Sequence, residues 1–210
     1  HNDKLSIELS IDDKDFIVDP GTYVYTSNIE WRNYFRSTAV HNTLTINNSE
    51  QNNFVPNNIF KLADQTNCRC SLWESTEEYD KFVGYHSGYL ERFNIIHFRS
   101  IFHNKRNGEL NFRDKVKQLG EGKEYEIRFN LTFHPLVKVY CISSNAIKLI
   151  NGNTTVRITF QSPNDFKINI NDCWYSPKYG KKVLTKSLIL TTKHNKDSYI
   201  DWKVEKINNA

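Results

Sequence analysis

Two histidines and an aspartate near the start of the chain are the residues with the clearest chemistry. His1 precedes an alternating apolar segment, Asp19 ends the next one, and His41 begins a third. If the first two segments are strands of a hairpin, His1 and Asp19 lie at one end of it, and the loop over 26–40 is long enough to return His41 there. Two imidazoles and a carboxylate suit zinc. By spacing alone, ordinary surface histidines remain the alternative.

The segment over 31–38, beside His41, holds further groups that could act on an anionic ligand. It contains an indole, two guanidinium groups and a phenol, from Trp31, Arg32, Arg36 and Tyr34. A guanidinium can bind a carboxylate or sulfate through two parallel hydrogen bonds. A tyrosine can transfer a proton if nearby cations lower its pKa. Alternatively, the aromatic side chains pack under the loop and the arginines are solvated.

Two other polar sets have a structural alternative. Arg99 and Asp114 lie on neighbouring predicted strands, where we expect a cross-strand ion pair that serves the fold. The segment over 174–182 combines Trp174, Tyr175 and Tyr179 with three lysines. Such a segment could line a sugar-binding cleft or form a packed turn, and the sequence leaves both possibilities open.

The elements that must position these residues are strands. Apolar and polar residues alternate over 5–11, 125–133, 156–160 and 166–170, which places apolar side chains on one face. Asn107-Gly108 and Asn151-Gly152 are typical of tight hairpin turns. No linker or repeat divides the chain, and the segment over 74–81 could be a short helix or a loop. Ten to fourteen short strands predict an all-β protein, a large antiparallel β-sandwich formed as a single domain over 1–210.

Composition excludes several classes of protein. Residues of hydrophobic type make up 38% of the 210 residues, enough for a sizeable core without disulfides. The net charge of +4 comes without a basic stripe, so we expect no nucleic-acid partner. No apolar run approaches the ~20 residues that cross a membrane. The chain begins with His1 and lacks methionine, so we expect it to be a piece of a longer protein.

Three blocks of residues resemble the heparinase II/III-like family. They are His1-Asn2-Asp3, the segment from Asp19-Pro20-Gly21-Thr22 to Tyr25, and the segment from Trp31 to His41-Asn42-Thr43. The order and nearly the spacing of these blocks are the same in that family. Further matches follow in His97-Phe98-Arg99, Asp114, His134-Pro135 and Ser176-Pro177-x-Tyr179-Gly180, so the similarity covers most of the chain.

The resemblance implies an architecture and a metal. Members of the family consist of an N-terminal (α/α) toroid followed by a large β-sandwich, and this chain looks like the sandwich alone. The toroid is then its missing partner. In members that bind zinc, the ligands fall at the positions of His1, Asp19 and His41, so the resemblance implies a zinc ion with a structural or site-organising role.

The resemblance also implies a reaction. Family members are polysaccharide lyases that cleave uronate-containing chains by β-elimination, so the expected substrate is an acidic polysaccharide. Within this chain we expect Tyr34 and His41 to be catalytic and Trp31, Arg32 and Arg36 to bind substrate. An asparagine and a tyrosine of the toroid, and often a histidine before the first block, belong to the same machinery, so this chain alone is expected to be inactive. The substrate class implies a periplasmic or secreted protein. The alternative is a non-catalytic carbohydrate-binding or envelope-polysaccharide assembly module.

Overall fold

The computed structural model describes residues 1–56, 58–120 and 123–207. Its first half contains seven strands, two α-helices and one 3-10 helix: β1 (Leu9–Ile11), β2 (Lys14–Ile17), α1 (Ile29–Arg36), the 3-10 turn (Thr38–Val40), β3 (Leu44–Ile46), β4 (Arg69–Ser75), β5 (Tyr79–His86), α2 (Leu90–Phe93), β6 (Ile95–Asn104) and β7 (Glu109–Gln118). The second half contains seven strands: β8 (Tyr125–Thr132), β9 (Lys138–Ser143), β10 (Ala146–Asn151), β11 (Thr154–Gln161), β12 (Phe166–Lys178), β13 (Lys181–His194) and β14 (Ser198–Ile207).

The strands form two large antiparallel sheets and one small hairpin. The larger sheet has eight strands in the order β4-β5-β6-β7-β14-β11-β10-β9. The second sheet has four strands in the order β12-β13-β8-β3, and β1 pairs with β2. The predicted all-β antiparallel sandwich is therefore confirmed, and its strand count lies at the top of the predicted range.

The core lies between the inner faces of the two sheets. On β8, the alternating residues Tyr125, Ile127, Phe129 and Leu131 are all buried, as period-2 patterning requires. Trp202 of β14 stacks on a phenylalanine of β7 with ring centroids 3.7 Å apart and meets Phe129 of the other sheet at 5.5 Å. Burial of each such side chain contributes about 1.5–3 kcal/mol.

Both Asn-Gly turns lie where the sequence places them. Asn107-Gly108 joins β6 to β7, and Asn151-Gly152 joins β10 to β11. The glycines have φ of 72° and 58°, which is the left-handed region that such turns need. These turns fix the antiparallel register of the strands on either side.

The expectations for two local segments were wrong, and for a third segment the sequence left two alternatives open. The strand predicted over 5–11 begins only at Leu9, and Leu5 has a φ of 62° that ends the extended conformation. The predicted loop over 26–40 contains α1, whose first turn is capped by the Asn28 side chain accepting from the Trp31 N–H at 2.9 Å. The segment over 74–81 is not a helix: it consists of the end of β4, a short loop over 76–78 and the start of β5, so the loop alternative holds only for its middle. No helix among the described residues is long and apolar enough to cross a bilayer.

Candidate functional site

Side chains from the start of the chain approach His41, which lies just before β3. The imidazoles of His1 and His41 lie with ring centroids 5.2 Å apart. Asp3 joins them, and one potential ligand atom from each of the three residues lies within 4.8 Å of the others. Two imidazoles and one carboxylate at this separation can hold a divalent metal ion.

His41 is oriented for such a role. Its Nδ1 is 2.8 Å from Oδ2 of Asp19, and the ring is fully buried. Its Nε2 is also buried and has no hydrogen-bond partner among the residues that the structure describes. A buried ring nitrogen without a partner is costly unless something binds it. The donor set therefore fits a zinc ion ligated by His41 Nε2.

Asp19 stands behind His41. One carboxylate oxygen meets the imidazole, and the other accepts from the Gly21 N–H at 2.8 Å. Burial raises the pKa of Asp19, but the hydrogen bond and charge of His41 outweigh that effect and leave the pKa below its ordinary value. A carboxylate in this position fixes the tautomer of a metal-binding histidine and increases its basicity.

The geometry thus brings together all three residues expected to bind metal, but in two layers. His1 and His41 face each other, whereas Asp19 holds the far side of His41. Asp3 completes the inner group, and the sequence interpretation did not assign it a role. Its position two residues after His1 was the available signal.

Asn42 fixes the backbone around the site. Its side-chain amide donates to the carbonyls of Ile7 at 2.8 Å and Val18 at 2.9 Å, and its oxygen accepts from the Thr132 N–H at 2.7 Å. These partners belong to the first segment, the end of β2 and the four-stranded sheet. One buried amide therefore ties together the chain segments that carry His1, Asp19 and His41.

A buried ion pair in the large sheet supports the same segments. Arg99 and Asp114 face each other in the register of β6 and β7, as predicted. The other end of the guanidinium donates to the carbonyl of Asn42 at 2.7 Å and to that of Leu5. Asp114 also accepts from the indole N–H of Trp202 at 3.0 Å. The pair is structural, and it holds the backbone beside the site.

Arg32 is the residue of α1 that reaches the histidines. Its Nη1 donates to Nε2 of His1 at 2.9 Å, and its Nε donates to the carbonyl of Ile59 at 3.2 Å. The guanidinium also lies 5.7 Å from the ring centroid of Tyr25. Arg32 therefore places a positive charge next to the candidate metal ligands.

Arg36 is engaged by the protein itself. Its Nε donates to the Asn33 side chain at 2.9 Å, and its Nη1 donates to the Ile59 carbonyl at 2.9 Å. Its guanidinium covers the ring of Phe54 at 4.1 Å, and the side chain is almost wholly buried. These contacts hold α1 against the segment around Ile59. Arg32 is almost as buried, at 7% exposed against 3% for Arg36, and it differs from Arg36 in its contact with His1.

Tyr34 and Trp31 face the β12–β13 hairpin. The hydroxyl oxygen of Tyr34 accepts from the backbone N–H of Trp174 at 3.4 Å, and burial raises the pKa of Tyr34. Trp31 packs edge-on against Trp174, and the ammonium of Lys182 lies 3.0 Å from the Trp31 ring centroid. This arrangement is the packed-loop alternative for the aromatic residues.

Comparisons with known proteins agree with this architecture. The family model described as heparinase II/III-like, C-terminal, matches residues 1–203. A heparin-sulfate lyase of Bacteroides stercoris is 33% identical over 103 residues, which are 48% of this chain and 13% of that protein.

Solved structures give the same result for the fold. The crystal structure of heparan sulfate lyase HepC from Pedobacter heparinus superposes with a TM-score of 0.82 at 16% identity, over 99% of this chain and 31% of that one. A crystal structure of heparinase III superposes with a TM-score of 0.80 at 16% identity, over 100% of this chain and 30% of that one. The chain thus spans less than a third of the length of these relatives. With a family model matched over nearly its whole length, the chain belongs to the heparinase II/III-like family, as its C-terminal domain.

Proposed function

We propose that this chain is the C-terminal domain of a polysaccharide lyase that cleaves uronate-containing chains by β-elimination. The observation that carries the proposal is the convergence of Arg32, His1 and His41. A cation beside a candidate metal site is suited to an anionic substrate. Family membership supports the lyase scaffold.

The reaction needs charge stabilisation before proton transfer. A base removes the proton from C5 of the uronate, the C4–O bond breaks as a C4=C5 double bond forms, and the departing oxygen takes up a proton. Negative charge develops on the carboxylate in the transition state, so a preorganised cation accelerates the step. We assign this role to Arg32, whose position is fixed by its contacts with His1 and Ile59.

We further propose that His1, His41 and Asp3 hold zinc, with Asp19 orienting His41. The support is the buried, unpartnered Nε2 of His41 and the short separation of the three ligand groups. Bound zinc supplies positive charge and fixes the segments that carry its ligands. His1 and His41 then orient the site, and Arg32 remains the group that contacts the substrate carboxylate.

The proton-transfer groups are proposed to come mainly from an N-terminal toroid. The Tyr34 hydroxyl faces Trp174, and burial raises its pKa, which makes it a poor base in this arrangement. His41 could exchange protons only through Nε2, the atom assigned to zinc. A lyase acting on such polysaccharides would work outside the cytoplasm, in the periplasm or after secretion.

The experiment is a lyase assay of the full-length protein on a panel of acidic polysaccharides, with the ultraviolet absorbance of unsaturated uronate as the readout. We expect product from at least one substrate, and a loss of kcat/KM of about 10²-fold or more in Arg32→Ala, partly restored in Arg32→Lys. Arg113→Ala, which removes a surface cation of β7, is the matched control. Binding without product from any polysaccharide would replace the lyase proposal with the carbohydrate-binding module.

A further inference from the structure

Three exposed aromatic rings lie side by side next to α1, and we call them the aromatic ledge. Tyr25 stacks on Tyr179 with ring centroids 5.5 Å apart and an interplanar angle of 30°. Phe60 meets Tyr25 at 6.0 Å. Tyr25 is 46% exposed, Tyr179 is 61% exposed and Phe60 is 65% exposed. Contiguous exposed aromatic residues of this kind mark a binding surface far more often than single ones do.

The ledge is continuous with the candidate site. The guanidinium of Arg32 lies between them, 5.7 Å from the Tyr25 ring centroid and 2.9 Å from Nε2 of His1. The middle ring of the ledge, Tyr25, is therefore in contact with the cation that also contacts His1.

The backbone under the ledge is fixed by hydrogen bonds. The Gly180 N–H donates to the Tyr23 carbonyl at 2.7 Å, which joins the turn between β12 and β13 to the segment that carries Tyr25. The Arg32 side chain holds the segment of Phe60 through the Ile59 carbonyl. Three rings from distant parts of the chain are thus held in one surface, which lowers the entropy cost of binding.

Charge around the ledge favours an anionic ligand. Tyr179 lies in a turn between Lys178 and Lys181, both of which are exposed. Arg32 adds a cation beside Tyr25, the middle ring of the ledge. Aromatic faces next to cations suit a chain of pyranose rings, whose C–H faces are apolar and whose substituents are carboxylates or sulfates.

We propose that the aromatic ledge is a sugar-binding subsite, on which a ring of the acidic polysaccharide stacks against Tyr25 and Tyr179 while its neighbour is held at Arg32. This inference rests on the proposed function and adds the residues that bind the polysaccharide beyond the sugar unit that reacts. It predicts that the ledge contributes to affinity and to KM, and that it leaves the chemical step to the residues around Arg32.

The test is affinity electrophoresis of the full-length protein in gels that contain heparan sulfate or alginate, together with lyase kinetics. For the double variant Tyr25→Ala/Tyr179→Ala we expect Kd and KM to rise about tenfold or more, with kcat within about twofold of wild type. Tyr25→Phe/Tyr179→Phe keeps both rings and is expected to bind within about twofold of wild type. Tyr140→Ala is the matched control, because Tyr140 is 46% exposed but lies on β9, at the edge of the eight-stranded sheet. If the double variant does not fold, the single variant Phe60→Ser is measured in its place.

The outcomes separate this inference from the proposed function. If wild type binds and cleaves a polysaccharide while the alanine variant does so with unchanged Kd and KM, the ledge proposal is overturned and the lyase proposal stands. Unchanged binding with a lowered melting temperature or an altered oligomeric state would assign the ledge to an N-terminal domain or a second copy, and would also overturn it. If wild type neither binds nor cleaves any polysaccharide of the panel, the proposed function itself fails.

Discussion

Nε of Arg99 donates to the Asp114 carboxylate at 2.8 Å, and neither side chain is exposed to solvent. Burial raises the pKa of Asp114, but the charge of Arg99 and the hydrogen bond from His97 outweigh this effect and lower the pKa to about 2. The carboxylate therefore stays ionised in the core, where a lone charge would be very unfavourable. Removing one partner alone would leave the other as an uncompensated buried charge.

Asp114→Asn is expected to destabilise the protein by about 3–5 kcal/mol, because it leaves the Arg99 charge buried without its counterion. Urea denaturation measures the change in the free energy of unfolding. Arg113→Met is the matched control on the same strand: it breaks the exposed pair with Asp201 and should cost no more than about 1 kcal/mol. Equal effects of the two substitutions would show that the buried pair has no special importance.

Acid should destabilise the fold through His86 and His97. Gly88 N–H donates to His86 Nδ1 at 3.2 Å, His86 Nε2 lies 3.2 Å from His97 Nδ1, and His97 Nε2 lies 2.8 Å from Asp114. This chain of bonds is satisfied with both rings neutral, and burial holds the pKa of each below its ordinary value.

Because the unfolded state takes up protons near pH 6.5 and the folded state does so only at lower pH, stability is complete above that pH and falls below it. The expected slope of the free energy of unfolding approaches about 1.4 kcal/mol per pH unit for each histidine. Urea denaturation from pH 7.5 to 5 measures it, with chelator present so that metal binding does not contribute. His86→Gln should have a shallower slope, and a slope as steep as wild type would refute this assignment.

Zinc content is expected to depend on His41 and Asp19 in different ways. His41→Ala removes the unpartnered Nε2 and should abolish stoichiometric zinc in the purified protein. Asp19→Asn removes only the orienting carboxylate and should weaken zinc affinity about 10- to 100-fold. Elemental analysis and competition with a chelator measure the two effects. Negligible zinc in wild type would remove the metal proposal.

Gly21→Ala should disturb the turn that carries Asp19. Gly21 has a φ of +84°, and an added Cβ would lie 2.2 Å from the carbonyl oxygen of Ser176. Gly180→Ala is the control, because Gly180 has a φ of +72° but no atom within 4 Å of an added Cβ. The control should cost about 1–2 kcal/mol for the backbone conformation alone. Gly21→Ala should cost clearly more and also reduce zinc affinity, and similar melting temperatures for the two variants would contradict the predicted clash.

Period-2 patterning and Asn-Gly turns were enough to predict an antiparallel sandwich, and the turn at Asn107-Gly108 sets the register that places Arg99 opposite Asp114. The strand order of the two sheets was not predicted. The arrangement of the candidate site was harder to predict. The approach of His1 and His41 was an expectation from their spacing and from the family resemblance, whereas no pattern in the sequence displays the side-chain bonds of Asn42 that join their segments. The positions of Arg32 and Arg36 also differ for a non-local reason, since both lie on α1 and only contacts with distant residues decide which faces His1. Residue types in the sequence indicated the kind of chemistry, but packing against distant residues determines which side chains face His1.

The hydrogen bonds of Asn42 join it to residues that are 24 to 90 positions away in the chain. Contacts of such long range form slowly, since the intervening loops have to close first. Since the segments that carry the candidate ligands are joined by these long-range bonds, we expect tight zinc binding to be acquired late in folding, and its rate should report a late stage of that process.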